Sequence, residues 1–518
     1  MNGGQALIRT LVNAGVDVCF SNPGTSEMHF VAALDAVPEM RGILALFEGV
    51  ATGAADGYAR MAGKPAATLL HLGPGLGNGL ANLHNARKGR TPIVNIVGDH
   101  ATYHKRFDAQ LESDIETVAR NVSEFVRRSA TTADVAADAL DTVRAALGPP
   151  GRVATLILPA DVSWTEGAEP MAVEVRARAR TVQADVVERI AKVLLSDDRC
   201  ALLVGGTATR ERALLAASRI AGATGAKLLA ETFPTRHERG AGLPVVERLA
   251  YLAEWASEQM KGLQHLILVD AKAPVSFFAY PSKDSYLVPS GCEVHTLADP
   301  SEDAVVSLEM LVDAVGAAST EPALQPGARP ERPTGELTAD AACQAIGALL
   351  PEGAIVSDEA LTSGLTASMH TAGGPPHDWL TLTGGAIGQG LPVALGAAVA
   401  NPDRRVLALE ADGSAMYTNQ AWWTMARESL DVTTVLFNNS SYSILNMELS
   451  RVGADAAGPK AKDMLSLTRP EIDHVSIARG MGLQASRATT ADEFVEQLAR
   501  ALATPGPSMV EAVVPPIM

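Results

Sequence analysis

The chain has 518 residues, more than one hydrophobic core can organise, which implies about two to four domains. With 47% apolar and 19% charged residues it is a folded globular chain, and the wealth of Gly and Ala beside only 4% aromatics favours tightly packed α/β layers. A formal net charge of −17 argues against a nucleic-acid partner and against an anionic membrane surface.

In chain order, the first segment (1–165) alternates helical patterns with short apolar runs at Arg41–Phe47, Ala66–Leu72, Pro92–Val97 and Val153–Leu158. Strand–helix alternation of this kind predicts a parallel sheet covered on both faces. A polar stretch, Ser163–Gln183, reads as a linker. The second segment (184–318) has apolar runs Ala201–Val204, Lys227–Leu229 and Leu266–Val269. Thr320–Leu337, rich in Pro and Gly, reads as the clearest linker. The third segment (338–518) repeats the α/β rhythm at Ala354–Val356, Val406–Leu409, Thr433–Phe437 and Ser508–Val513. The expected fold is therefore α/β, with three consecutive doubly wound parallel-sheet domains. Cys19, Cys200, Cys292 and Cys343 lie far apart without zinc spacing, so free thiols in a reducing compartment are expected. Met1–Asp17 has no basic region followed by an apolar run, and no apolar stretch approaches the roughly 20 residues of a membrane span. A cytoplasmic location is expected.

The most informative stretch is Val406–Tyr442, which reads strand, turn, helix, strand, turn. Asp412 follows its first strand and Asn439, 27 residues on, follows its second. A right-handed crossover of that length brings both to the carboxyl ends of neighbouring parallel strands, where α/β sheets bind ligands. One carboxylate and one amide oxygen form a hard-oxygen pair suited to Mg²⁺ on a phosphate. Gly413 and Ser414 open the intervening helix, so their N–H groups and the Ser hydroxyl can face a phosphate. Earlier in the chain, Glu48 follows an apolar strand amid Phe47, Val50 and Ala51. A carboxyl group held away from water at a strand end is suited to proton exchange.

The Asp412–Asn439 stretch resembles the Gly-Asp-Gly … Asn-Asn signature of thiamine-diphosphate enzymes. The resemblance implies that Asp412, Asn439 and the carbonyl of Ser441 hold Mg²⁺ on the cofactor's diphosphate, with Gly413, Ser414 and Tyr442 beside it. Ala411 departs from the usual Gly, which matters only if that backbone needs a positive φ. Ser441 also replaces a Gly, but a carbonyl ligand does not depend on its side chain. Glu48 precedes Asp56-Gly57-Tyr58-Ala59 by eight residues, a spacing similar to that in thiamine-diphosphate decarboxylases and acetolactate synthases. In that family this Glu hydrogen-bonds the aminopyrimidine ring and begins the proton relay that activates the cofactor. The stretch GGAIGQGLPVALGAA resembles the segment that bends the cofactor, which makes Ile387 the wedge between its rings and the backbone of Gly385 the partner of its exocyclic amine. SNPGTSE and His71 resemble the active-site turn and histidine of benzoylformate decarboxylase, which puts Thr25 and His71 among the catalytic candidates. Thr362 falls near the diphosphate-binding position.

The resemblance implies a pyrimidine-binding first domain, a central domain and a diphosphate-binding third domain. It further implies a small-molecule 2-oxo acid substrate and a homodimer at minimum, with a homotetramer the usual assembly. The expected reaction is decarboxylation with aldehyde release, or carboligation as in acetolactate synthase. The chain has Gln110-Leu111 where acetolactate synthases have Phe-Gln, and Ala279 stands nearest to the second histidine of benzoylformate decarboxylase. FAD in the central domain, a flavin-linked 2-oxo acid oxidase and a non-catalytic cofactor-binding paralogue remain open on sequence alone.

Overall fold

The computed structural model describes residues 1–176, 178–196, 198–454 and 458–516. Three sheets follow one another. The first is wholly parallel, in the order Arg41–Leu44, Val18–Asn22, Ala66–Leu70, Ile93–Asp99, Val153–Pro159, Phe125–Arg128. The second runs Glu247–Arg248, Lys227–Ala230, Cys200–Val204, His265–Val269, Glu293–Ala298, also parallel. The third runs Gln484–Ala488, Ser508–Val513, Val432–Asn438, Val406–Ala411, Ile355–Glu359, His377–Thr381 and ends on His237–Arg239. That last strand belongs to the second segment and is antiparallel to His377–Thr381. It is held where Thr381 Oγ1 donates to the carbonyl of Pro234 at 2.9 Å and Arg236 pairs with Asp378. The third sheet is therefore parallel with one antiparallel edge borrowed from the central domain.

The central strands are apolar on both faces because helices cover both sides, as a parallel sheet requires. One buried cluster is shared between the first and third domains. It centres on the helices Glu48–Ala62 and Gly390–Ala400, which cross almost backbone to backbone. A Cβ on Gly57 would lie 2.1 Å from the Val393 carbonyl oxygen, and one on Gly396 would lie 1.8 Å from that of Ala54. Glycine is obligatory at both points.

The same helix pair carries a buried ion pair. Arg60 Nη2 donates to Asp56 Oδ2 at 2.7 Å, and both side chains are fully buried. Arg60 also donates to the carbonyl of Thr381 at 2.8 Å and to Thr383 Oγ1 at 2.9 Å, while Gln389 Nε2 donates to Asp56 Oδ2 at 2.7 Å. A contact from Arg60 to the Thr235 carbonyl, at 3.3 Å, brings in the central segment. The two stretches read as linkers are pinned rather than free. Asn13 Nδ2 donates to the Met171 carbonyl at 2.9 Å, and Gln325 and Ala328 donate backbone hydrogen bonds to Leu243 and Gly373. The four cysteines are unpaired, and among the described residues no helix is long and apolar enough to cross a membrane.

Removing one partner of a buried ion pair strands the other charge, at a cost of roughly 3–5 kcal/mol. Asp56→Ala should therefore lower the unfolding free energy by about that amount, whereas Asp141→Ala, on an exposed helix pair, should change it by less than ~1 kcal/mol. Denaturant unfolding of both variants checks this; equal, small effects would contradict the role given to Asp56.

Candidate active site

The strands Val406–Ala411 and Val432–Asn438 pair in register, with Ala411 opposite Phe437. Their carboxyl ends put Asp412 beside the loop that begins at Asn439. The Asp412 carboxylate is only 3% exposed and accepts three backbone N–H groups. Gly413 donates to Oδ1 at 2.8 Å; Asn439 and Ser440 donate to Oδ2 at 3.1 and 2.6 Å. Burial raises its pKa and these amides pull it back. Asn439 Nδ2 donates to Ser363 Oγ at 3.2 Å, and Ser441 N–H donates to Asn439 Oδ1 at 3.0 Å. The Tyr442 ring covers Gly413 so closely that a Cβ there would lie 2.5 Å from it. Ser414 is buried in the first turn of the helix Asp412–Thr418. Ala411 has φ −93° and ψ 151°, ordinary extended backbone, so its replacement of Gly introduces no strain.

The Asp412 turn, after Val406–Ala411, lies at the point where strand order reverses, between that strand and Ile355–Glu359. The latter strand runs into a short 3₁₀ turn, Leu361–Gly364, that buries Thr362 and delivers Ser363 to Asn439. Leu361 and Ser440 both adopt left-handed backbone, at φ +49° and +53°. Such residues cost of order 1–3 kcal/mol each and persist where surrounding structure over-determines them, typically at functional sites.

A second group sits on the first domain. Glu48 opens the helix Glu48–Ala62, is 6% exposed and accepts from Asn78 Nδ2 at 3.0 Å. His71 caps the helix Leu72–Lys88, and its Nδ1 lies 2.8 Å from Glu27 Oε2. The same Glu27 oxygen accepts the Gly24 N–H at 2.7 Å. Burial raises the Glu27 pKa and the neighbouring imidazole opposes it. Leu72, after His71, is also left-handed, at φ +50°. Gly75 stands between the two candidates: a Cβ there would lie 3.1 Å from Glu48 Oε1 and 3.4 Å from His71 Cβ. Glu48 and His71 therefore flank Gly75 on one side of the helix Leu72–Lys88. Thr25 lies on the adjoining 3₁₀ turn with its residue exposed.

The third group is the loop Gly384–Gly388. Gly385 and Gly388 have φ +75° and +92°, which only glycine adopts readily. Asn85 brackets the loop, donating to the Ala386 carbonyl at 2.7 Å and accepting its N–H at 3.1 Å. Asn82 Nδ2 bridges the carbonyls of Gly49 and Gly388, at 2.8 and 3.0 Å. Ile387, half-buried, is thus fixed relative to the start of the Glu48 helix. Phe277 packs on Gly385 and joins Phe233, Tyr251 and Phe278 in one aromatic cluster.

Glu27, Asn78, Asn82, Asn85, Ser363 and Phe277 were not singled out by sequence. The asparagines carried a signal, since 78, 82 and 85 recur at helical spacing on one face. Glu27 stands three residues after Gly24, the spacing of a reciprocal turn cap. The Ser363 and Phe277 contacts join residues distant in sequence and have no local signature.

The donor set suits a Mg²⁺–diphosphate group. Asp412 Oδ1, Asn439 Oδ1 and the Ser441 carbonyl each accept one hydrogen bond in this chain and retain a lone pair, and all are hard oxygens. The central domain does not suit a nucleotide phosphate at its Gly205-Gly206 turn. There Glu231 accepts the Gly206 N–H at 3.0 Å and Asp270 accepts the Thr207 N–H at 2.7 Å. Two carboxylates occupy the amides that a phosphate would need.

This fold and donor arrangement define a cofactor-dependent enzyme with its site at the edge of two α/β domains. Residues 1–119 match the N-terminal thiamine pyrophosphate binding domain of the thiamine pyrophosphate enzymes, and 362–512 match their C-terminal thiamine pyrophosphate binding domain. The chain belongs to that family of thiamine-diphosphate-dependent enzymes, among relatives named acetolactate synthase and benzoylformate decarboxylase. It is 60% identical, over 100% of both chains, to a Mycobacterium tuberculosis protein provisionally named acetolactate synthase large subunit IlvX. It is 27% identical to benzoylformate decarboxylase of Pseudomonas aeruginosa, over 96% of each chain. The solved thiamine diphosphate-dependent 4-hydroxybenzoylformate decarboxylase of Rhodococcus jostii superposes with a TM-score of 0.86 over 99% of each chain, at 23% identity.

Behind the wedge loop lies a buried acidic pair. Glu359 accepts the N–H groups of Gly388 and Gly390 at 2.7 and 2.6 Å, and both carboxyl oxygens of Glu410 are buried without a hydrogen-bond partner. Burial raises both pKa values, and the neighbouring Glu359 charge raises that of Glu410 further. Burial also pushes Glu231 up to about 7. Carboxyls raised in the fold contribute stability that is complete below the unfolded glutamate value of about 4.3 and is lost as pH rises through the folded values. The buried His237 and His377, held below their ordinary values, add stability as pH rises to about 6.5, so the carboxyl contribution shows as a difference between variants. Glu410→Gln, which mimics the protonated acid, should gain melting temperature relative to the wild type as pH rises from about 5 to 8. A difference that stays constant over this range would refute the assignment.

Proposed function

We propose that the protein decarboxylates a 2-oxo acid with thiamine diphosphate and Mg²⁺, releasing an aldehyde or passing the acyl unit to a second carbonyl compound. The observation that carries this reading is the convergence of Asp412 and the Asn439 loop at one switch point of the third sheet. In the reaction the C1–C2 bond of the acid breaks, CO₂ leaves, and C2 takes up either a proton or a second carbonyl carbon. Thiamine diphosphate, when bound, supplies a nucleophilic carbon for the 2-oxo group and a sink for the electron pair left by CO₂.

The chain's own residues do the rest. Asp412, Asn439 Oδ1 and the Ser441 carbonyl would hold the metal, with Gly413, Ser414, Tyr442 and Thr362 lining the diphosphate position. The Gly385 carbonyl would accept a hydrogen bond from the cofactor's amine, and Ile387 would support its bent form. Glu48, poorly solvated and steadied by Asn78, would exchange a proton with the aminopyrimidine ring. Glu27 orients His71 through Nδ1, which leaves Nε2 to exchange a proton with the substrate's oxygen. Thr25 lies on the same turn as a further polar contact. The Phe277 ring, backed by Phe233 and Phe278, packs directly on Gly385.

Glu48 and Asp412 share no hydrogen-bond partner among the described residues. The relatives' arrangement, in which one subunit's first domain faces another's third, suggests a homodimer at minimum and a homotetramer as the full assembly. The flavin-linked alternative is disfavoured by Glu231 and Asp270, which occupy the Gly206 and Thr207 amides of the central domain. The non-catalytic alternative, which rested on Ala411 and on the departures at Gln110-Leu111 and Ala279, loses the first of these because Ala411 is unstrained.

Release of CO₂ from a panel of aliphatic and aromatic 2-oxo acids, with product analysis, tests the reaction. Glu48→Gln should lower the rate by about 10²-fold or more while thiamine diphosphate binding stays within about threefold. Full turnover in that variant would end the proposed proton role.

A further inference from the structure

The central domain, which contributes little to the site above, carries a compact group of ligand-type side chains. His265 begins the strand His265–Val269, and Glu293 begins its parallel neighbour Glu293–Ala298, in direct register with it. His295 follows two residues later and so shares a sheet face with Glu293. His265 Nδ1 lies 3.1 Å from His295 Nε2, and Glu293 Oε2 lies 3.8 Å from each of these nitrogens. A zinc ion with N ligands at about 2.0–2.1 Å in a tetrahedron sets its ligand atoms about 3.3 Å apart. The triangle observed here matches that spacing, and the exposed Glu293 side chain needs only a small rotation to close it.

The second observation is the support behind His265. Its Nε2 lies 3.3 Å from Asp198 Oδ2, while Asp198 Oδ1 accepts from Gln264 Nε2 at 2.8 Å. A carboxylate accepting from one ring nitrogen fixes the proton there and leaves the lone pair on the other, the arrangement found behind metal-bound histidines. With the proton on Nε2, Nδ1 points an unprotonated lone pair at His295. Both imidazoles are largely enclosed, with side chains 16% and 17% exposed. Without a metal, two ring nitrogens this close can share only one proton.

We propose that His265, His295 and Glu293 form a binding site for one divalent transition-metal ion of the zinc class, with Asp198 orienting His265 and the fourth position open to water. Two imidazoles and one carboxylate select such a borderline ion over Mg²⁺. The site lies at the amino ends of its strands, the opposite edge from the Gly205-Gly206 turn, so its role is structural. It ties the edge strand Glu293–Ala298 to its neighbour, and through Asp198 to the segment entering Cys200–Val204.

The test uses the full chain, stripped by chelator and re-equilibrated with excess Mg²⁺ and thiamine diphosphate so that any ion at Asp412 is already in place. Calorimetric titration with Zn²⁺ should give one ion per chain with Kd of roughly 10 µM or below, and Zn²⁺ should raise the melting temperature. His295→Gln should weaken binding by at least about 100-fold, and Asp198→Asn by about 10- to 100-fold. Glu293→Gln, whose side chain is 72% exposed and carries no folding load, should weaken it by about tenfold or more. Absence of stoichiometric Zn²⁺ uptake, or uptake of equal affinity in His295→Gln and Glu293→Gln, would overturn the proposal. The result does not depend on turnover, so it stands or falls separately from the proposed reaction.

Discussion

The carboxylate of Asp412, buried and clamped by three backbone amides, is the point on which the site's geometry depends. Two of those amides come from the loop after the neighbouring strand, so the carboxylate fixes the spacing between two crossover loops as well as keeping a lone pair on Oδ1. A buried anion held by backbone N–H groups needs no compensating cation from the protein. That leaves its outward lone pair, and those of the Asn439 and Ser441 oxygens, for a metal ion. The strained backbone at Leu361 and Ser440 is tolerated because this network over-determines the loops.

The helix pair Glu48–Ala62 and Gly390–Ala400 performs the complementary task. Its glycines let the first and third domains meet at backbone distance, and the Asp56–Arg60 pair extends that junction to the loop bearing Ile387 and to the central segment. Asn82 and Asn85 then bind the same loop from the neighbouring helix. Ile387 is thereby positioned by the interdomain packing itself, and Glu48 sits at the end of the very helix that makes it. Motifs that look like separate landmarks along the chain are parts of one mechanical unit.

The strands most legible in the sequence were the central ones, such as Val406–Ala411 and Val153–Pro159, because burial on both faces makes them continuous apolar runs. Phe125–Arg128 and Glu293–Ala298 were missed because edge strands alternate with charged residues. Val18–Asn22 merged into the turn that follows it. His237–Arg239 could not be placed, since its partner lies in another domain and its pairing is antiparallel. In the site, Asp412 and Asn439 were legible because a βαβ crossover fixes where both ends fall. The Glu27–His71 contact, the Ser363 contact and the two carboxylates at Gly205-Gly206 were not, because each joins residues distant in sequence through tertiary packing.

Calorimetry of thiamine diphosphate binding, with Mg²⁺ present and with Mg²⁺ chelated, addresses the central claim without reference to substrate. The wild-type chain should bind about one cofactor per subunit with Mg²⁺, and lose at least about 100-fold in affinity when the ion is removed or when Asp412 is replaced by Ala. Equal affinity with and without Mg²⁺, or in Asp412→Ala, would show that these two loops do not hold a metal-bound diphosphate.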